Sequence, residues 1–255
     1  MKLFSKIYGS YSQDLIVIHG LFGMSDNWNS LGKRFAENFK VHLIDLRNHG
    51  KSPHSDEFNY QVMSDDVFEY IEDNDIQDPI ILGHSLGGKV AMKIAFANPQ
   101  KISKLIVADI APRRYNTDFF EKLLQTLYAL PLDNFKKREE IDQILSKEYK
   151  DQGMRLFLMK NLYRNENKVF EWRFNIDVLL DKVKNIKEAD FIKGVCDVPT
   201  CFIKGGRSNY ITAEDELTIN NHFSDFSITT IEEAGHWLHA ESPDKFYREV
   251  LNFCF

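Results

Sequence analysis

Cysteine is scarce in this chain: Cys196, Cys201 and Cys254 are the only three among 255 residues. An odd count at that spacing fits neither a disulfide framework nor a zinc site, so reduced, packed thiols are expected, as in a cytoplasm. No apolar run approaches the roughly 18 residues of a membrane span. The amino terminus, Met1-Lys2-Leu3-Phe4-Ser5-Lys6, lacks the apolar stretch of a signal peptide. Neither sign of charge dominates: 32 Lys and Arg face 38 Asp and Glu, a net −6. The bases are dispersed apart from Lys136-Lys137-Arg138, which reads as a solvated helix face, so nothing marks a nucleic-acid or anionic-membrane partner. There is no internal repeat, no low-complexity linker, no metal site and no sign of a required cofactor. What the chain does have is apolar content: 43% hydrophobic residues, enough for a substantial core and too many for disorder. Its length suits one large α/β domain or two small ones.

Short apolar runs alternate with helical patterns. Residues 15–19, 41–46, 80–83, 104–108, 198–203 and 227–231 predict strands, and 2–8 an additional edge strand. Most of the runs are continuously apolar, as in a parallel sheet covered on both faces. Between them, 27–39, 60–73, 86–98, 213–223 and 243–253 predict helices, with Thr212 and Ser242 as N-caps and Pro243 in a first turn. The alternation predicts a doubly wound, mostly parallel α/β sheet with helices on both faces. From 112 to 192 the rhythm breaks. No convincing strand is visible there, only helical patterns: Phe119, Leu123, Leu124 and Leu127; Ile141, Ile144 and Leu145; 156–162; and 178–183. The expected organisation is a core of 1–111 and 193–255 with a helical cap at 112–192.

The most informative segment is Gly83-His84-Ser85-Leu86-Gly87-Gly88, between the apolar Ile80-Ile81-Leu82 and the helical Lys89–Ala95 pattern. G-x-S-x-G between a strand and a helix predicts a nucleophile elbow, a sharp turn that lifts the serine Oγ above the sheet. Gly83 and Gly87 leave room where a Cβ would meet backbone. The N–H of Leu86, at a helix start, is aimed where an oxyanion would develop.

A serine needs a base, and the base an orienting carboxylate. On such a sheet they follow in the order Ser, Asp or Glu, His. Ala234-Gly235-His236-Trp237 comes after the last strand, which puts His236 on the same edge as Ser85; His239 is the other downstream candidate. The second oxyanion donor is expected from the loop His19-Gly20-Leu21-Phe22-Gly23, through the N–H of Leu21. His19, ahead of a glycine at a strand end, is expected to hold that loop by hydrogen bonds. Asp109 ends the strand 105–108 on the same edge; Glu214 and Asp215 are the alternative acids, and as first-turn residues they would equally serve a helix dipole.

The set His19-Gly20, Asp45-Leu46-Arg47-Asn48-His49-Gly50-Lys51-Ser52, Gly83-His84-Ser85-Leu86-Gly87-Gly88 and Gly235-His236 resembles the α/β-hydrolase superfamily over nearly the whole chain. More narrowly, His19–Gly23, Asp26-Asn27-Trp28, Asp45–Gly50 and Asp109-Ile110-Ala111-Pro112 resemble the compact YbfF-type bacterial esterases and their mitochondrial relatives. In most of the superfamily the acid follows the penultimate strand. That segment here is Lys204-Gly205-Gly206-Arg207-Ser208-Asn209-Tyr210, with Ser208 at the acid position. The narrower resemblance implies that the acid is Asp109 and that Ser208 is auxiliary. For Asp45 and Arg47 it implies a structural pairing that pins loops beneath the site.

Aromatics are dense in and around the cap, and helices need an apolar stripe to dock at all. Phe22, Trp28 and Trp237 from the core are expected to line the substrate pocket with a minority of the cap aromatics, which suits an uncharged ester of modest size. Arg113 and Arg114 read as surface charge at the cap hinge, or as attraction for an anionic substrate such as an acyl-CoA. The expected activity is hydrolysis of short to medium acyl esters, with thioesters as a related class, through an acyl-enzyme on Ser85. Alternatives on the same framework are a small-molecule receptor, a carbon–carbon hydrolase, an acyltransferase or a perhydrolase. Haloalkane dehalogenase and epoxide hydrolase chemistry is disfavoured, since both use an aspartate nucleophile and Ser85 occupies that place.

Overall fold

A computed structural model describes all 255 residues. Seven strands form one sheet in the order β1-β3-β2-β4-β5-β8-β9. In chain order they begin with β1 (Ser5–Tyr8), β2 (Asp14–Ile18), β3 (Lys40–Ile44), β4 (Ile80–His84) and β5 (Lys104–Ala108). After the short strands β6 (Leu162–Arg164) and β7 (Phe170–Trp172), the sheet is completed by β8 (Thr200–Gly205) and β9 (Phe226–Ile231). Only β1 runs antiparallel, against β3. The central strands are buried on both faces, which is why β2, β4 and β5 read as apolar runs rather than alternating ones.

Alternation decides which side chain serves which layer. Ile16, Ile81, Leu105 and Val107 point to one face, under helices α2 (Tyr60–Asp73) and α3 (Leu86–Ala97). Leu15, Val17, Leu82 and Ile106 point to the other, with α1 (Asn29–Phe35) and the carboxy-terminal α10 (Pro243–Cys254). The segment between β5 and β8 carries α4 (Asp118–Tyr128), α5 (Arg138–Glu148), α6 (Gln152–Met159) and α7 (Ile176–Lys182). Its Leu124, Leu145 and Leu179 belong to the same continuous apolar cluster as Ile16 and Val107. Two short helices complete the chain, α8 (Ala213–His222) and α9 (Leu238–Glu241).

Three local expectations change. The helix expected over 27–39 is shorter: a 3-10 turn at Ser25–Trp28 leads into α1, which stops at Phe35. Turn bonds at 36–39 then deliver the chain to β3. The helix expected over 156–162 ends at Met159, and Leu162–Arg164 pairs with Phe170–Trp172 as a hairpin. The signal for that hairpin lies in its turn. Asn165 Oδ1 accepts from the amides of Asn167 and Val169, and Lys168 adopts φ 63°. Ser242 precedes α10 without capping it, its hydroxyl turned to Glu233. Thr212 does cap α8, with the Asp215 carboxylate accepting from its amide at 2.8 Å.

Ser85 sits at the β4–α3 junction with φ 52° and ψ −115°. A Cβ on Gly83 would fall 2.2 Å from the Gly87 carbonyl oxygen, and one on Gly87 2.3 Å from the Ile18 carbonyl oxygen. Both contacts are with backbone, which cannot swing aside. Gly83→Ala is therefore expected to lower the melting temperature by about 2–12 °C, the size of a 1–3 kcal/mol overpacking strain in a chain this long; a thermal melt by circular dichroism measures it.

Candidate active site

The C-terminal ends of the parallel strands form the edge where an open α/β sheet binds ligands. Ser85 leaves β4 there, and its amide donates to the Ala108 carbonyl at the end of β5. Asp109 follows β5 with φ 51°, a second left-handed residue, and its amide donates to the Ile203 carbonyl of β8. These two backbone bonds set adjacent strand ends in a fixed stagger. His236 reaches back from the loop after β9.

The three side chains meet. Ser85 Oγ lies 3.1 Å from His236 Nε2, and His236 Nδ1 lies 2.7 Å from Asp109 Oδ2. The Asp109 carboxylate has no solvent contact. It accepts from the Gly205 amide at 3.0 Å on Oδ1 and from the Ser208 hydroxyl on Oδ2. A buried carboxylate holds its charge only with such partners. Asp109 and Ser208 thus occupy one cluster, from different loops.

The alternative acids lie elsewhere. Asp215 is buried but engaged, 2.6 Å from the Arg113 guanidinium and bonded to Thr212. Glu214 is exposed on the first turn of α8. Arg114 pairs with Glu188 at 2.6 Å and Asp190 at 2.9 Å. The charges of both arginines are therefore neutralised at the root of the β5–β8 insertion. Arg47 is held in a two-pronged pair with Asp66, at 2.6 and 2.9 Å, rather than with Asp45. Asp45 instead accepts from the amides of Ser25 and Lys51. His19 ties loops, as expected: Nδ1 donates to the Gly20 carbonyl at 2.8 Å and Nε2 accepts from the Leu46 amide at 3.0 Å.

A cavity of about 460 Å³ opens over Ser85, with Phe22, Trp28, His236 and Trp237 in its wall. Phe119, Phe120 and Phe157 enter it from the insertion. Trp28 is only 2% exposed and stacks on His239, centroids 4.2 Å apart, so most of its ring is packing. A smaller recess of about 30 Å³, also touching Ser85, is bordered by both Leu21 and Leu86.

Two kinds of residue escaped the sequence reading. Tyr210 lies flat on the His236 ring at 3.8 Å, and the only signal was an aromatic two positions after Ser208. The other is His84, a buried imidazole packed against the alternative base candidate His239. His84 donates from Nε2 to the His236 carbonyl at 2.8 Å, and its ring meets that of His239 edge-on at 4.6 Å. His239, 5% exposed, makes no bond to Ser85.

Burial is the main cause that pushes these histidines down from the ordinary value: His19 to about 4, His49 and His239 to about 3, and His84 well below it. They stay neutral where an unfolded chain would already be protonated.

The chain matches the model of the α/β hydrolase family over residues 15–249 and belongs to that family. It is 38% identical to a putative esterase/lipase of Haemophilus influenzae over 94% of this chain and 82% of that one. It is 30% identical to esterase YbfF of Escherichia coli, over 94% and 92%. A solved marine microorganism esterase superposes with a TM-score of 0.95 at 40% identity, covering 99% of both chains.

The buried imidazoles give stability a direction in pH. The unfolded state binds protons on them below about 6.5 while the folded state does not, so stability is full above that pH and is lost as pH falls toward 4. Each contributes a loss of about 2 kcal/mol by pH 5. The melting temperature should fall steeply between pH 7 and 5, and by less in His239→Phe; calorimetry across that range checks both.

Proposed function

We propose that this protein is a serine hydrolase that cleaves carboxylic esters through an acyl-enzyme on Ser85. The observation that carries the reading is the continuous relay of Ser85 Oγ, His236 and the buried Asp109, at 3.1 and 2.7 Å. The three similar proteins described above are each named as an esterase, putative in one case, which supports the same class of reaction.

In this reading His236 Nε2 takes the Ser85 proton as Oγ attacks the ester carbonyl carbon. The oxyanion is received by the N–H groups of Leu21 and Leu86, both at the recess beside Ser85. His236 then delivers the proton to the leaving alkoxide, and water activated by the same base releases the acid. Asp109 keeps Nδ1 protonated and stabilises the imidazolium. Ser208 is an auxiliary, fixing the carboxylate through its hydroxyl. Residues 112–192 act as a cap, contributing Phe119, Phe120 and Phe157 to the cavity. An aromatic wall of Phe22, Trp28 and Trp237 favours uncharged esters of short to medium acyl length. The pairing of Arg113 and Arg114 with acids speaks against recognition of a polyanionic carrier. No helix is long and apolar enough to cross a membrane. Three free thiols, two of them buried, suit a cytoplasmic setting.

Ser85→Ala should abolish hydrolysis of a short-chain nitrophenyl ester and the labelling of the protein by a fluorophosphonate. Asp109→Asn should lower kcat about 10³- to 10⁴-fold, the cost of losing the oriented imidazole. Asp215→Asn should leave kcat within about threefold of wild type, since its partners are Arg113 and Thr212. Retained turnover in Ser85→Ala, or a reversed ranking of the two aspartates, refutes the assignment.

A further inference from the structure

The His236 ring carries an aromatic column on one face. Tyr210 lies over it, centroids 3.8 Å apart and planes 16° from parallel. Tyr115 follows, 5.5 Å from Tyr210 at 24°, and the Arg113 guanidinium lies 3.9 Å from the Tyr115 centroid. Each layer is fixed. The Tyr210 amide donates to Ser208 Oγ at 3.2 Å. The Tyr115 hydroxyl accepts from the Ala111 amide at 2.8 Å and donates to the Tyr210 carbonyl. Arg113 is held by Asp215 at 2.6 Å. One tyrosine hydroxyl thereby joins the loop behind Asp109 to the loop that carries Ser208.

We propose that Tyr210 is a positioning residue for the base: its ring fixes the plane of the His236 imidazole and stabilises the imidazolium formed when Ser85 gives up its proton. This rests on the Ser85–His236–Asp109 reading above. The negative face of an aromatic ring attracts a cation, and more strongly where water is excluded. Tyr210 is half-buried beside the cavity. Rotation of the imidazole out of line with Asp109 and Ser85 would require breaking the stack. The groups facing His236 are few. Asp109 stands at Nδ1, and Ser85 at Nε2. Trp237 meets the ring edge-on at 5.9 Å, and the Glu241 carboxylate, paired with Arg207, accepts from the amides of Gly235 and Trp237 on either side of it. His84 lies 4.8 Å away, centroid to centroid, with His239 behind it, and burial keeps both neutral. Arg113, the one nearby cation in the column, is separated from the base by two aromatic rings and is offset by Asp215.

The test is the acid limb of kcat/KM against pH for a short-chain nitrophenyl ester, measured in Tyr210→Phe, Tyr210→Leu and Tyr210→Met. Without an aromatic face the imidazolium is less stable, so the base is protonated only at lower pH. The limb should move down by about half to one pH unit in the leucine and methionine variants, with kcat reduced about tenfold. Tyr210→Phe keeps the face and should keep the wild-type limb. Two aliphatic replacements are used so that a folding failure in one leaves the other to report. A limb unchanged in the aliphatic variants, or displaced equally in Tyr210→Phe, overturns the proposal. Failure of wild-type Ser85 to react with a fluorophosphonate overturns the catalytic reading beneath it, a result distinct from either.

Discussion

A carboxylate sealed from water holds this site together. Asp109 has no solvent exposure, and a backbone amide, a serine hydroxyl and an imidazole all point at it, the first two from the end of one strand and the loop after it, the third from the loop after the last strand. Removing water raises the cost of any missing partner, so the same burial that strengthens the pull on His236 makes the surrounding loops mutually dependent. The last residue of β8 and the loop that follows it supply two of the three donors. In the proposed relay this glycine amide and serine hydroxyl stand where the superfamily resemblance expects a carboxylate, and Asp109, one strand inward after β5, takes the acid's role.

The surroundings follow from that constraint. With the acid on β5, the residue that begins the insertion region sits only a few positions from the base's partner. Arg113, Tyr115 and Asp215 then do structural work at that root, cancelling charge and bridging loops, while the aromatic residues further along face the cavity. The other histidines near Ser85 are set aside by position and by desolvation: neither His84 nor His239 bonds Ser85 Oγ, and burial lowers the proton affinity of both. His84 and His239 lie within ring contact of one another, yet burial holds both neutral.

Much of this was legible in the residue order, for identifiable reasons. Continuous apolar runs marked β2, β4 and β5 because a parallel sheet buries both faces. Gly83 and Gly87 marked the elbow because their neighbours are backbone atoms. Ser208, at the position where the superfamily resemblance expects a carboxylate, turned attention to Asp109, and the two side chains meet in the structure. The hairpin at β6 and β7 was missed because three-residue strands leave almost no alternation to detect, and its asparagine turn was the only cue. Tyr210 was missed for a different reason: stacking on His236 joins residues 26 positions apart, and nothing in local spacing encodes which ring will lie on which. The partner of Arg47 was likewise invisible, since Asp66 comes from the facing helix α2 rather than from the motif itself.

The stagger between strand ends has a further meaning. The Ser85 amide is bonded to the last residue of β5, and the Asp109 amide to β8, so the spacing of Ser85 and Asp109 continues the hydrogen-bond ladder. In a sheet, side chains alternate faces with every residue, and a slip of one position would send Asp109 to the opposite side of the layer. The sheet is therefore the ruler of the site as well as its foundation: atoms that must agree to a fraction of an ångström are spaced by a repeat fixed far below them, among isoleucines and valines that never meet a substrate.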